Sequence, residues 1–214
     1  MRKFIVFSGP AGAGKGTQAK LLAQRYGLVH VSTGDLFRDS IARQTDLGKR
    51  VKEIMARGEL VEDTTTLEMV QERLAQSDCA NGVVFDGFPR TGEQAKMLDA
   101  LLAKSGEWVA AVVRLVVGND IVLERLGGRR ADDEGRIYHV KFNPPPAGVR
   151  VTQRDDDRPD AIGKRLAAFH KNELAVLRYH QKAKVINING EPPIAQVTAE
   201  LFAKLSDLLA PIPA

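Results

Sequence analysis

The sequence predicts an α/β fold, a central five-stranded parallel sheet with helices on both faces. Three observations predict it. Short, strongly apolar runs alternate with stretches of helical periodicity. The first apolar run ends in a glycine-rich loop that opens a helix. One proline- and charge-rich stretch, residues 131–153, breaks the alternation and reads as an insertion projecting from the core.

Taken in order, Phe4-Ile5-Val6-Phe7 is the first strand, and residues 15–26 form the helix after its loop. Leu28-Val29-His30-Val31 is the second strand, followed by two short helices, 33–43 and 46–57. Asp63 is expected to cap a helix that carries Leu67, Val70 and Leu74 on one face. Val83-Val84-Phe85 is a third strand and residues 91–104 a helix; Val109 through Val117 is a fourth strand and 119–128 a helix. Inside the insertion, Arg136-Ile137-Tyr138-His139-Val140 has β character. Pro159 suits the first turn of a long helix with Ile162, Leu166, Phe169 and Leu177 on one side. Asp155, Asp156 and Asp157 precede it, where the helix dipole favours negative charge. Val185-Ile186-Asn187-Ile188 is the last strand, and Pro192-Pro193 opens a final helix through Leu208.

With 214 residues, 43% of them hydrophobic, the chain buries one substantial core. No segment approaches the roughly eighteen uninterrupted apolar residues of a membrane-spanning helix. Met1-Arg2-Lys3 and the apolar run behind it resemble a secretion signal, but the run stops at the glycine-rich loop. A first strand and a cytoplasmic location are therefore expected, with no membrane partner. Cys79 is the single cysteine, which excludes an intrachain disulfide and a cysteine-based zinc site. The net charge of +4 comes from arginines in separate places and not from a basic tract. That favours small phosphate-bearing ligands over nucleic acid.

The strongest motif is Gly9-Pro10-Ala11-Gly12-Ala13-Gly14-Lys15-Gly16-Thr17. Glycines let successive backbone N–H groups turn inward around an anion, and the following helix adds unpaired donors with partial positive charge. Lys15 is placed to reach the outer phosphates. The strict phosphate-loop pattern has Ser or Thr directly after the lysine; Gly16 stands there, so Thr17 supplies the hydroxyl nearest a magnesium ion. This motif alone leaves a GTPase, an ATPase motor and a small-molecule kinase open. Downstream, Val83-Val84-Phe85-Asp86-Gly87-Phe88-Pro89-Arg90 ends a strand in a carboxylate at the same sheet edge. There Asp86 can hold magnesium-bound water, and Arg90 offers a planar fork to a phosphate.

Asp-Gly-Phe-Pro-Arg together with Gly-Lys-Gly-Thr resembles the adenylate kinases. The likeness continues through Ser32-Thr33-Gly34-Asp35-Leu36-Phe37-Arg38, Gly58-Glu59-Leu60-Val61, Gly128-Arg129-Arg130, the run Gly135 to Pro145, and Arg154-Asp155-Asp156-Asp157. It spans essentially the whole chain in order. It implies a P-loop core of residues 1–31, 62–127 and 158–214, a monophosphate-binding insertion at 32–61 and a lid at 128–157.

By the same resemblance, Thr33 lies at the adenine of AMP and Arg38 holds the AMP phosphate. The backbone of Glu59, Leu60 and Val61 frames base and ribose, and Gly87, Phe88, Pro89, Arg90 and Gln94 complete that site. An amide such as Gln94 both donates to and accepts from a purine edge. On the triphosphate side the resemblance implies Gly12, Ala13, Gly14, Lys15, Gly16 and Thr17 around the phosphates and Arg125 packed on the ATP adenine. Ile137 and Tyr138 would be contacts from the lid, with the Pro192 backbone beside the base. Lys15, Arg90, Arg129, Arg154 and Arg165 are the expected catalytic cations, Arg154 and Arg165 also serving the AMP side. Asp156 and Asp157 are the expected lid latch. The implied reaction is reversible, magnesium-dependent phosphoryl transfer, ATP plus AMP giving two ADP, by a cytoplasmic monomer.

Two departures from the family pattern stand out. The loop reads Gly-Pro-Ala-Gly where members usually read Gly-Ala-Pro-Gly, and the second half of the lid is short. The lid has no cysteine; Asp132, Asp133, Glu134 and His139 remain, and no zinc is expected. The closest rival is a UMP/CMP-type kinase, against which Thr33 and Gln94 favour AMP. A GTPase would need an Asn-Lys-x-Asp motif, which the sequence lacks. A non-catalytic nucleotide-binding module would have lost Lys15, Arg90 or the lid arginines.

Overall fold

A computed structural model describes residues 2–179 and 183–209. Met1, residues 180–182 and residues 210–214, parts of the expected core segments, lie outside the described residues. Strand β1 (Lys3–Ser8) leads through the glycine-rich loop into α1 (Lys15–Tyr26). Then follow β2 (Val29–Ser32), α2 (Thr33–Ala42), α3 (Asp46–Ala56) and α4 (Asp63–Leu74). A 3-10 turn at Ser77–Asn81 precedes β3 (Gly82–Asp86), α5 (Gly92–Ala103), β4 (Val109–Val116) and α6 (Asn119–Gly127).

Strands β5 (Arg129–Ala131) and β6 (Ile137–His139) pair antiparallel in a small separate sheet. The returning chain touches it through a bridge between Ala131 and Thr152. The expected insertion is thus a compact hairpin unit. A 3-10 turn at Asp155–Asp157 leads to α7 (Pro159–Tyr179), then β7 (Lys184–Asn189) and α8 (Ile194–Leu209).

The main sheet has the order β2-β3-β1-β4-β7 with every pairing parallel. The strands are short runs of Val, Ile and Phe because both faces are buried. Successive residues point to opposite faces, so β1 serves two cores. Ile5 and Phe7 pack with Leu22 of α1 and Leu201 and Leu205 of α8. Phe4 and Val6 pack with Phe85, Leu98 and Leu102 on the α4–α5 side. From β1 the chain crosses to β2, returns through β3 beside β1, then passes over to β4 and β7 on the other side. The carboxyl end of β1 is therefore the switch point where ligands bind in open α/β sheets.

The expected elements are found with ends shifted by a residue or so. One assignment needs correcting. Glu62, not Asp63, is the N-cap of α4, and Asp63 is its first residue. Its carboxylate is spent elsewhere, accepting from Thr91 Oγ1 at 3.1 Å and Gln94 Nε2 at 2.8 Å.

Candidate active site

The glycine-rich loop hangs at the carboxyl end of β1, and Gly14 precedes α1 without a side-chain cap. The first N–H groups of α1 are thus left to an anionic ligand. Lys15 Nζ folds back over the loop, donating to the carbonyls of Gly9 at 2.8 Å and Pro10 at 2.7 Å. Burial lowers its pKa most, Asp86 opposes that, and Arg90, Arg165 and Arg129 lower it again, to about 8.

Strand β3 runs beside β1 with Asp86 opposite Phe7. This register sets the Asp86 carboxylate against the loop: a Cβ at Gly16 would meet Asp86 Oδ2 at 3.1 Å. Behind it, His30 Nε2 stands 3.4 Å from Asp86 Oδ2 but makes no well-formed hydrogen bond. Burial acts to raise the Asp86 pKa; His30, Lys15 and Arg90 outweigh it and hold the carboxyl below its ordinary range. Asp86 is therefore ionised at neutral pH. The exposed Thr17 hydroxyl and this carboxylate are a donor set of hard oxygens, which suits magnesium.

After Asp86 the chain turns sharply and Arg90 is held from two sides. Its Nε donates to Gly87 O and its backbone N–H to Gln94 Oε1, both at 2.7 Å. Gln94 is almost wholly buried and gives its other end to Asp63, while Thr33 Oγ1 donates to Gly87 O at 2.8 Å. Gln94 thus has one amide hydrogen and one lone pair left for a ligand. Phe88 does not line the cleft: its ring is buried against Phe85, with centroids 6.0 Å apart. Apart from Phe88, every residue expected to touch a nucleotide lines one cleft of about 1640 Å³.

The far wall of the cleft carries the remaining cations. Asp157, fully buried, accepts from Arg129 Nε at 2.7 Å and from Arg165 Nη1 at 3.0 Å. Asp156 pairs with Arg165 at 3.0 Å as well. The two carboxylates thus hold arginines from either side of the hairpin insertion. Arg125 donates to the carbonyls of Gly190 and Glu191, which puts its guanidinium plane beside Pro192. Arg38 is paired with Asp35. Among the described residues the Arg154 side chain has neither a hydrogen bond nor an ion pair, while its carbonyl accepts from the Asp157 N–H at 3.0 Å. Burial first, then Arg38 and Arg129, lower its pKa to about 10. Arg90 is likewise brought to about 10, by burial first and then by Arg165. Its side chain is open to the cleft yet ringed by protein, so water screens it from one side only. Both remain charged at neutral pH, and the repulsion each meets, Arg90 from Arg165 and Arg38 and Arg154 from Arg38 and Arg129, is of the kind a polyanion relieves.

The hairpin insertion is organised by Asp132. Its carboxylate accepts from the backbone of Glu134 and Arg136, from Arg136 Nε at 2.6 Å and from the Tyr138 hydroxyl at 3.3 Å. Among the described residues no group of three or more His, Cys, Asp or Glu side chains is placed to hold a metal ion. Sequence reasoning missed the bracing roles of His30 and Asp63. The signal for His30 was there: one ionisable residue inside an apolar strand.

A phosphate loop at the switch point of a parallel sheet, faced by guanidinium groups that repel one another, is built to hold more than one phosphate chain. That class is the P-loop phosphotransferases. Comparison with known proteins narrows it. The adenylate kinase family model matches residues 7–185. The chain is 44% identical to an adenylate kinase of Anaeromyxobacter sp., covering 93% of this chain and 99% of that one. It is 43% identical to one from Symbiobacterium thermophilum (92% and 95% covered) and 40% identical to one from Agathobacter rectalis (95% and 99% covered). The chain belongs to the adenylate kinase family.

Proposed function

We propose that the enzyme moves the terminal phosphoryl group of ATP onto AMP, reversibly, giving two ADP. The observation that carries this reading is the set of cations converging on one cleft from opposite walls: Lys15 and Arg90 from the sheet, Arg129, Arg154 and Arg165 from the far side. The attacking group is a phosphate oxyanion, already a nucleophile, so no general base is required. The protein's work is to align two polyanions and neutralise the charge that spreads over the transferring group.

In this reading Gly12 through Thr17 cradle the ATP phosphates with Lys15 at the outer ones. Arg125, Ile137, Tyr138 and Pro192 enclose the ATP adenosine. Thr33, Arg38, Glu59, Leu60, Val61, Gly87, Pro89, Arg90 and Gln94 take AMP, with Phe88 acting from the core by shaping the turn. Thr17 and Asp86 would hold magnesium, the latter through water; when bound, the ion would neutralise charge on the phosphate oxygens. Segments 32–61 and 128–157 close over the core as two covers, Asp156 and Asp157 latching the second. Exclusion of water then keeps hydrolysis from competing. The second cover needs no zinc, because Asp132 already ties its hairpin together. One chain supplies every group of the set, which supports a monomer working on free nucleotides.

The test is a coupled assay with MgATP and AMP, CMP, UMP or GMP as acceptor. AMP is expected to be preferred by at least an order of magnitude. Equal or faster turnover with CMP or UMP would move the assignment to a pyrimidine monophosphate kinase.

A further inference from the structure

One partly buried charge pair in the cleft region has no part in the proposed nucleotide sites. Arg114 of β4 donates from Nε to Glu173 Oε1 of α7 at 2.6 Å. The two side chains are 32% and 12% exposed. Both stand where apolar residues would be expected. Arg114 occupies the same face of β4 as buried Val112. Glu173 lies on the stripe of α7 that carries Ile162, Phe169 and Val176, at helical spacing. An isolated charge there is costly, and removing one partner strands the other.

The position of the pair suggests a purpose. Arg114 is in register with Ser8, the last residue of β1 before the phosphate loop. Its neighbour Leu115 presses on the loop itself: a Cβ at Gly9 would lie 2.8 Å from Leu115 O. At the other end of the pair, α7 carries Arg165 eight residues before Glu173, about 12 Å along the helix axis. Arg165, Phe169 and Glu173 line the same cleft. Arg165 is already fixed toward the hairpin by Asp156 and Asp157.

We propose that Arg114 and Glu173 are positioning residues: their ion pair fixes the stance of α7 relative to the phosphate loop, and so the span between Lys15 and Arg165 across the transferring phosphoryl group. Neither residue is among those assigned to a nucleotide above, although Glu173 lines the cleft. Its effect falls on the transition state, where misplacement of a cation by an ångström costs turnover more than ground-state binding. The inference rests on reading Arg165 as a phosphate ligand.

The experiment measures kcat and both KM values for Glu173→Gln, for the exchange Arg114→Glu with Glu173→Arg, and for Arg165→Met, each normalised to folded enzyme by titration with a diadenosine polyphosphate. Glu173→Gln is expected to lower kcat about ten-fold with each KM within about two-fold, and the exchange to recover most of that loss. A folded Glu173→Gln enzyme with wild-type kcat overturns the proposal. If Glu173→Gln does not fold, the exchange decides: near-wild-type kcat supports the pairing, and a ten-fold or greater deficit in the folded protein overturns it. Wild-type kcat in Arg165→Met would instead overturn the reading of Arg165, separately from the pair.

Discussion

Lys15 sits among more positive charge than Asp86 alone offsets, in a place where water reaches it poorly. Its folded pKa of about 8 lies below the ordinary 10.5 because burial disfavours the ammonium and three arginines add to the effect. Between these values the unfolded chain keeps a proton that the folded chain has released, so stability gains from this group as pH rises through that window. Below pH 8 the lysine is charged in both states and its crowding is a standing cost. Without nucleotide, the thermal midpoint of the wild type should therefore climb relative to Lys15→Met between about pH 8 and 10.5; parallel curves would contradict the shift. In the proposed complex, phosphates at the loop would restore the ammonium. Accordingly kcat/KM for ATP should decline above about pH 8 while kcat holds to higher pH. Arg90 faces the cleft more directly, and Arg90→Ala is expected to lower turnover by about three orders of magnitude with the fold intact. Stopped-assay rates of a folded variant within a factor of ten of wild type would remove it from the catalytic set.

At the scale of elements, the contact between segment 32–61 and α7 turns on one residue. Gly58 follows α3 with φ of +73°, and a Cβ there would stand 2.6 Å from Ala161 O and 3.1 Å from Arg165 Cγ. A side chain would meet backbone, which has no room to yield, in a left-handed conformation that strains any other residue by about 1–3 kcal/mol. Gly58→Ala should therefore raise KM for AMP several-fold, leave KM for ATP nearly unchanged, and lower the thermal midpoint. Equal change in both KM values would argue that the segment does not serve one substrate. The α4 start shows the limit of local reading. Asp63 looked like a cap because of its type and place, yet it is used to hold Gln94 and Thr91 across 31 and 28 residues of chain. No short-range pattern encodes a bond of that span.

Over the whole molecule, the site depends on the sheet keeping its strands in register, since Lys15, Asp86 and Arg114 project from three adjacent strands or the loops beyond them. The rings of Phe4, Phe85 and Phe88 pack in sequence beneath the sheet, Phe4 stacked on Phe85 at 6.2 Å and Phe88 edge-on to Phe85 at 6.0 Å. Phe85→Ala removes the middle ring from a fully buried place and should destabilise by about 3–5 kcal/mol. Denaturant unfolding is the measurement; a loss under about 1 kcal/mol would mean the layer is looser than its burial implies. Turnover of the folded fraction should also drop, because Phe88 carries the turn that presents Arg90.

The sequence by itself determined the sheet, the phosphate loop, the hairpin insertion and the places of the cleft arginines. Those features are written in local periodicity, glycine spacing and contiguous motifs, which act over a few residues. Tertiary structure alone decided which charges meet. It joined Asp157 to both Arg129 and Arg165, left the Arg154 side chain without a partner among the described residues, turned Phe88 inward and set Arg114 against Glu173. Each of these is a choice among many possible partners distant in the chain. It is made only when strands and helices pack, because burial then makes an unmatched charge costly and a matched one tolerable.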